Sequence, residues 1–499
     1  MTKVCLSPEE IPRLHTGLIR DPIYHYITYS RNRVDLLGEK ALLQNRWVKR
    51  LGRLYQNQGT FAAYPGAVHT RLQHSLGVMH LAGRFVEECY PRFYKTRKAK
   101  FGRAALKERE YVIQATRIAA LLHDICHGPF SHLFDREVLR DHKLNHEELS
   151  TKLIKGELKT LIEGIRISWE GKELKRKIKA KDVDDILHPY IDNDRNKGFR
   201  DDLEFWKRPV SQIFHGVYSA DNLDYLLRDA HYAGTPEYGT VDAERLIRLS
   251  AFYDTGVAIE EKSLSALHSF ILSRMFMYQN VYYHRDVRAF EITVGEAIKE
   301  IADILGLFPK KGKFDWDVFY TLDDQFILSL GYHWKDIPPS DPLADRKRKI
   351  GDKILALTST DGPPPLVQAY ARTHRINRYP AAPIIKKLYT DPRMIEKLVK
   401  GEMQEKGLSK ISGELRFDYR NNYVLRGDPA QAEDWIGVYN EEGHLDSKSV
   451  SEVLEGVPIE VVGVGVYCPP KYVEDVKAAC RALWEGNENT KPDRGETST

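Results

Sequence analysis

Hydrophobic positions recur at different spacings along this chain, and the switches between them outline its elements. Near the start, IRDPIYHYITYS mixes aromatic and β-branched residues with turn formers, which predicts short strands leading into a helix around Lys40–Arg50. Gly59–Tyr64 reads as a further extended piece closed by a turn at Pro65-Gly66. From Leu72 the spacing becomes helical. Leu72, Leu76, Met79, Ala82, Val86 and Cys89 share one face, and Pro91 is expected to end that helix. Arg92–Glu110, with its KTRKAK run, reads as a solvated insertion or a helix start. IQATRIAALLHDICHGPF is apolar almost all round, the pattern of a helix buried in a bundle, and Gly128-Pro129 stops it. Leu153–Arg200 is charged and helical in pattern. IFHGVYSADNLDYLLRDAHYAG predicts a strong helix capped at Gly234, and Ser263–Ile301 predicts one or two long helices. A composition shift at DGPPP, residues 361–365, marks a domain edge. Beyond it IEVVGVGVYC reads as a strand and KYVEDVKAACRALWE as a helix. The expected fold is mainly α, with short β pieces near the N-terminus and a smaller α+β C-terminal region. The expected domains are 1–360, then 361–485, then a disordered tail at 486–499.

Composition changes that picture little. Of 499 residues, 42% are apolar and 29% charged, ordinary globular proportions that exclude wholesale disorder. Lys and Arg number 75 against 71 Asp and Glu, a net charge of +4, too small to imply nucleic-acid binding. The basic runs Lys95–Lys100 and Lys172–Lys181 read as solvated faces. No uncharged apolar run approaches the roughly 18–20 residues that cross a bilayer. The start, MTKVCLSPEEIPRLH, lacks the basic-then-apolar pattern of a secretory signal, so a soluble, cytoplasmic protein is expected. Five scattered cysteines, never spaced C-x-x-C, argue against a disulfide framework, and Cys126 reads as a small buried side chain.

Four places carry chemistry. They are Arg71 and His74 at the start of a helix; His123-Asp124, followed by His127 and His132; His146-Glu147; and Asp221, with Tyr225, Arg228 and Asp229 on the same helical face. Asp124 follows an apolar helix, where a carboxylate is rarely buried without a partner. A divalent cation would compensate it, and His123 beside it supplies an adjacent ligand. Imidazole and carboxylate together suit Mn, Fe, Co, Ni or Zn more than Ca, and two of each leave open positions for water and substrate. Each residue taken singly has a plainer reading, because a histidine on an apolar helix is usually a hydrogen-bonded core residue and an aspartate at a helix start usually a cap. Five histidines (His123, His127, His132, His142 and His146) clustered around the Gly-Pro stop weaken that reading without reversing it.

The strings HTRLQHSLG, LLHDICHGPFSH, HEELS and SADNLDYLLRDAHYAG, in that order, resemble the successive signatures of the HD phosphohydrolase superfamily. PGAVHTRLQHSLGV and HDICHGPFSHLFD are similar to its branch of SAM-and-HD-domain deoxynucleotide triphosphohydrolases and bacterial dGTP triphosphohydrolases. The likeness runs from Ile19 to Arg288. It implies an HD-domain helical bundle in which His74, His123, Asp124 and Asp221 hold a divalent metal (Mn, Mg, Fe, Co, Ni or Zn). It further implies catalytic roles for His127, His132 and His146, the last partnered by Glu147, and a phosphate contact at Arg71. Substrate contacts fall on Gln56, Asn57, Tyr225, Asp229 and His284. The implied reaction is hydrolysis of a dNTP to deoxynucleoside and inorganic triphosphate, with metal-activated water attacking the α-phosphorus and His146 protonating the 5′-oxygen. The other readings are a phosphomonoesterase or phosphodiesterase acting on nucleotides or short oligonucleotides, and a non-catalytic nucleotide sensor. A homo-oligomer is also implied. Three departures bear on the substrate. Asn57 stands where animal members carry a leucine that excludes ribose, and Asn222 and Asn280 replace a lysine and an arginine that hold the triphosphate. Arg228, Arg285 and Arg288 are the nearby cations that could substitute for them.

Overall fold

The computed structural model describes residues 15–101, 109–194, 197–309, 313–358, 364–376, 392–423, 435–449, 453 and 460–485. The tail expected at 486–499, Cys5 and part of the DGPPP edge lie outside these described residues. Within them the chain is mainly α-helical, with three small sheets. Contacts group it into two compact units, one of Met1–Met277, Ile298–Ile327 and Gln431–Glu455, the other of Tyr278–Ala297, Leu328–Ala430 and Gly456–Thr499.

The first unit opens with an antiparallel hairpin, Thr16–Asp21 paired with His25–Ser30, followed by short helices Glu39–Leu43 and Arg46–Arg50. Gly59–Tyr64 is not extended; it contains a 3-10 turn, Thr60–Ala62, in which Thr60 is buried. The long helix Arg71–Phe101 starts where Gln73 Oε1 turns back to accept from Thr70 N at 2.8 Å, one half of a capping box. Pro91 does not end this helix. Proline removes one ladder bond, but it sits on the exposed side while Tyr90 and Phe93 are buried beside it, so packing carries the helix through.

Arg109–Leu122 packs against that helix and is buried at every position from Tyr111 to Leu122, as an all-round apolar pattern requires. The helix ends at Leu122, so His123 and Asp124 occupy the turn beyond it. The region read as helical in pattern, Leu153–Arg200, is broken. Helices Lys159–Gly164 and Ala180–Leu187 flank a non-helical stretch with the bridge Ile167↔Glu173. There Leu174 and Ile178 are buried while Lys172, Lys175, Lys177 and Lys179 are exposed, which makes the basic run a solvated face.

Helix Ala220–Ala233 is capped by Ser219, whose side chain accepts from Asn222 N at 3.0 Å, and closes at Gly234 with φ 72°, a left-handed conformation that glycine adopts without strain. It approaches Arg71–Phe101 closely at Gly77, where an added Cβ would lie 1.8 Å from Asp224 Oδ1. A four-stranded sheet orders Ser250–Tyr253, Gly256–Glu260, Trp435–Tyr439 and Leu445–Ser449, the middle pair being parallel.

In the second unit, Glu460–Cys468 is the centre strand between Val367–Ile376 and Arg416–Tyr423, antiparallel to both. Val464, Val466 and Cys468 alternate onto one buried face, which packs with Ile395, Val399 and Met403 of helix Pro392–Glu405 and with Val476, Ala479 and Cys480 of helix Val473–Glu485. The strand and helix expected at the C-terminal end are both present. No helix among the described residues is long and apolar enough to cross a membrane.

Candidate metal centre

Three pieces of backbone deliver the site. The capped start of Arg71–Phe101 carries His74 one turn in, the turn after Arg109–Leu122 carries His123 and Asp124, and the first turn of Ala220–Ala233 carries Asp221. His74 Nε2 lies 3.1 Å from Asp221 Oδ1 and 3.8 Å from Asp124 Oδ2. His123 Nε2 lies 3.3 Å from Asp124 Oδ1 and 4.0 Å from Asp221 Oδ1. His74, His123 and Asp124 thus offer ligand atoms within 4.8 Å of one another, and Asp221 Oδ1 lies beside both imidazoles.

The far side of each imidazole fixes its orientation. His74 Nδ1 is 2.8 Å from Asp224 Oδ2, and His123 Nδ1 is 2.8 Å from the Ala120 carbonyl. With Nδ1 turned toward those oxygens, Nε2 is the ring atom left facing Asp124 and Asp221. Both Nε2 atoms are buried and have no hydrogen-bond partner. Buried polar atoms are nearly always satisfied, so two orphaned nitrogens aimed at two carboxylates make a donor set that fits a divalent cation. Charge at the centre is concentrated. Burial lowers the His74 pKa, but Asp221 and Asp224 outweigh it and raise it to about 10, so without a cation the ring holds a proton between the two carboxylates that a bound cation would replace. Burial opposes ionisation of Asp124, yet Arg71, His123 and His127 hold its carboxyl well below the usual range.

A second cluster adjoins the first. His127, His132, Asp135 and His146 offer ligand-type atoms within 4.8 Å of one another. The His127 and His146 rings stack at 3.9 Å, and His132 meets His127 edge-on at 4.8 Å. His127 Nε2 is 3.3 Å from Asp124 Oδ1, which links the two clusters. His146 heads the helix His146–Lys155, whose cap is Asn145 Oδ1 accepting from Glu148 N at 2.8 Å.

Here one expectation is corrected. The carboxylate bonded to His146 Nδ1 is Asp135, upstream in the chain at the end of the short helix that starts at His132, while Glu147 acts on the ring through its charge. Burial works to lower the His146 pKa, but the Asp135 carboxylate raises it, and His132 and His146 together hold Asp135 far below its ordinary value against its own burial.

Arg71 is buried between the clusters. Its Nε donates to Ser131 Oγ at 2.8 Å and its Nη1 to Asp124. Ser131 and its neighbour Phe130 both have positive φ, 59° and 53°, which is uncommon for non-glycine residues and costs on the order of 1–3 kcal/mol each.

Among the expected substrate contacts, Asp229 is buried and bonded to His69 Nε2 at 2.9 Å, with the His69 ring stacked on Tyr232. Tyr225 is half-buried on the same helix. Gln56 and Asn57 are buried in the preceding loop. Gln56 N donates to the His69 carbonyl at 2.9 Å, and Gln56 Oε1 and Asn57 Nδ2 have no hydrogen-bond partner. His284 belongs to the second unit, where its Nδ1 accepts from Asp286 N at 3.3 Å.

The substitute cations are largely committed. Arg228 is buried and bonded to Asp224 (2.9 Å) and Asp21 (2.8 Å), and Arg288 is bonded to Asp418 (2.7 Å) and Glu291. Asn222 is buried with both side-chain amide atoms unpartnered. Cys126 is buried, and burial pushes its thiol up to about 12, so it is a neutral small side chain.

Sequence reasoning missed Asp135, Asp224, His69 and Ser131. Asp135 stood inside HDICHGPFSHLFD and Asp224 three residues after Asp221, so helical spacing could have named both.

Comparison with known proteins agrees with this geometry. Residues 71–225 match the HD domain, and residues 241–330 match the HD associated region. Over 333 residues the chain is 27% identical to YwfO, an uncharacterized protein of Bacillus subtilis, covering 64% of this chain and 66% of that one. It is 26% identical over 371 residues to the deoxynucleoside triphosphate triphosphohydrolase SAMHD1 of Gallus gallus, covering 68% of this chain and 54% of that one. The chain thus spans about half to two thirds of the length of the curated relatives it matches. A solved structure of a hypothetical protein from Aquifex aeolicus shares the fold, with a TM-score of 0.62 at 23% identity over 93% of this chain and 100% of that one. A phosphohydrolase from Bacteroides thetaiotaomicron does so with a TM-score of 0.60 at 20% identity, over 91% and 99% respectively.

Proposed function

We propose that this chain, whose residues 71–225 match the HD domain and 241–330 the HD associated region, is a metal-dependent nucleotide phosphohydrolase that converts a dNTP to deoxynucleoside and inorganic triphosphate. The observation that carries this reading is the pair of bare imidazole nitrogens, His74 Nε2 and His123 Nε2, converging with Asp124 and Asp221 beside a histidine whose proton is held by a carboxylate. When bound, a divalent ion supplies an acidified water and an electrophile for a phosphoryl oxygen.

The chain's own residues do the rest. The Asp135 carboxylate raises the His146 pKa, which favours the protonated ring, and His146 delivers that proton to the nucleoside 5′-oxygen as the bond to the α-phosphorus breaks. His127 and His132 line its approach, and Glu147 adds negative charge near His146. Arg71, fixed by Ser131 and Asp124, offsets charge on the phosphates. Gln56, Asn57, Tyr225 and Asp229 receive the nucleoside. The protein works as a cytoplasmic homo-oligomer.

A specific observation favours a second reading. Arg228 is bound to Asp21 and Asp224, and Asn222 stands where a cation would hold a triphosphate, so a monophosphate or a phosphodiester meets fewer missing contacts. The test is a product profile. Protein with Mn²⁺ or Mg²⁺ is given dNTPs, NTPs, NMPs and short DNA, and triphosphate, pyrophosphate and phosphate are resolved. Triphosphate from dNTPs is expected. Phosphate from monophosphates transfers the assignment to the second reading, and no turnover with metal bound leaves a nucleotide sensor and overturns both.

A further inference from the structure

The strained pair Phe130–Ser131 sits between His127 and His132, and such backbone persists only where its surroundings over-determine it. Ser131 has φ 59° and ψ −121°, outside the regions most side chains adopt. What holds it comes from far along the chain. Asp324, buried at the start of a helix, accepts from Phe130 N at 2.6 Å through Oδ1 and from Tyr55 N through Oδ2. One carboxylate thus ties together the strained loop and the strand of backbone that leads into Gln56 and Asn57. Two residues earlier, the Leu322 carbonyl accepts from Arg50 Nη2 at 2.9 Å, while Arg50 Nη1 donates to the His127 carbonyl at 2.7 Å. The segment 322–324 therefore grips the loop at His127 and at Phe130. The consequence reaches the chemistry through Ser131, whose Oγ receives Arg71 Nε at 2.8 Å and so aims Arg71 Nη1 at Asp124.

We propose that Asp324 is a positioning residue, which holds the Phe130–Ser131 turn in its strained form and through Ser131 sets the place of Arg71 beside Asp124. It touches none of the four candidate ligands, so its loss leaves the cation donors in place. Burial pushes the Asp324 carboxyl up to about 7, and the two backbone donors work against that shift. The activity readout rests on the hydrolase reading above; the exchange and metal readouts do not.

The experiment compares full-length wild type with Asp324→Asn and Asp324→Ala. Asparagine keeps the size and one acceptor oxygen, but its amide hydrogens confront a backbone N–H, so one grip is lost; alanine loses both. Three quantities are read: Mn²⁺ affinity by calorimetric titration, amide exchange along the chain, and kcat and KM for the nucleotide turned over. A misplacement of about 1 Å can cost about 100-fold in rate, so kcat is expected to fall about tenfold in Asp324→Asn and about 100-fold in Asp324→Ala. KM and Mn²⁺ affinity should stay within about threefold of wild type, because only the turn is released. Amides of Tyr55 and Phe130 should exchange faster while those of Tyr111–Leu122 do not change. Unaltered exchange at Phe130, or wild-type kcat in Asp324→Ala, overturns the proposal. So does loss of Mn²⁺ binding together with faster exchange in Tyr111–Leu122, which would make Asp324 a general structural residue. If wild type turns over no nucleotide, the hydrolase reading falls, and the exchange and Mn²⁺ results alone decide the role of Asp324.

Discussion

Two histidine clusters lie side by side in the first unit, and they are built for different cargo. In the cluster of His74 and His123 each ring gives its Nδ1 to an oxygen behind it and leaves Nε2 bare toward two carboxylates. In the cluster of His127, His132 and His146 the carboxylate, Asp135, is bonded to His146 Nδ1, the side that carries a proton. The first arrangement offers ring nitrogens to a cation, the second retains a proton for delivery. Nδ1 meets a carboxylate in both, Asp224 behind His74 and Asp135 behind His146, so the difference lies in Nε2, which faces Asp221 and Asp124 in the first cluster and makes a ligand set there.

The largest effect should come from breaking the first cluster. His123→Ala or Asp124→Ala is expected to lower turnover by at least about 10³-fold, since the water and the phosphoryl oxygen both lose their electrophile. Turnover within about tenfold of wild type in either variant would remove the cation from the mechanism. Breaking the second cluster should cost somewhat less. His146→Ala is expected to lose about 10²–10⁴-fold in kcat while its Mn²⁺ titration matches wild type, and an unchanged kcat would take the acid role from His146.

A milder change sharpens the contrast by moving a pKa. Asp135 raises the His146 pKa, so the protonated acid persists above the ordinary histidine value of about 6.5 and is lost as pH rises through the raised value. Asp135→Asn withdraws that charge. The alkaline limb of the kcat profile should then move to lower pH, and a limb that stays put would mean the acid is another group. The same pairing contributes stability that is fully present below the unfolded histidine pKa and fades as pH climbs through the folded one, so the melting-temperature gap between wild type and Asp135→Asn should close on the alkaline side.

Gly77→Ala probes the scaffold behind His74. Its new Cβ would meet Asp224, the residue that orients His74, with an overpacking cost of about 1–3 kcal/mol in denaturant unfolding. A neutral result would mean the two helices separate freely there. The smallest effect belongs to Glu147→Ala. Glu147 acts on His146 through charge alone, so kcat should change by less than about threefold; an alkaline-limb shift as large as that of Asp135→Asn would restore Glu147 as the partner.

Much of this site was legible in the chain because its motifs are local. HDICHGPFSH places His123, Asp124, His127 and His132 within ten residues, and Asp221 with Tyr225, Arg228 and Asp229 follows from helical spacing alone. What escaped depends on tertiary geometry. The Asp135–His146 bond is decided by which way a ring turns, and the Asp324 grip on Phe130 joins residues that no local pattern connects. Likewise the stop expected at Pro91 failed because Tyr90 and Phe93 are buried on either side, so packing overrode a backbone rule. The parallel pairing of Gly256–Glu260 with Trp435–Tyr439 has no sequence signature, since strand partners so distant are chosen by the core they cover.

Metal analysis of the purified protein tests the central claim most directly. Wild-type chain loaded with Mn²⁺ and desalted should retain a stoichiometric ion at the His74, His123, Asp124 and Asp221 site, and the His123→Ala/Asp124→Ala variant should retain none while its circular dichroism is unchanged. Full Mn²⁺ retention by that folded double variant would contradict the account.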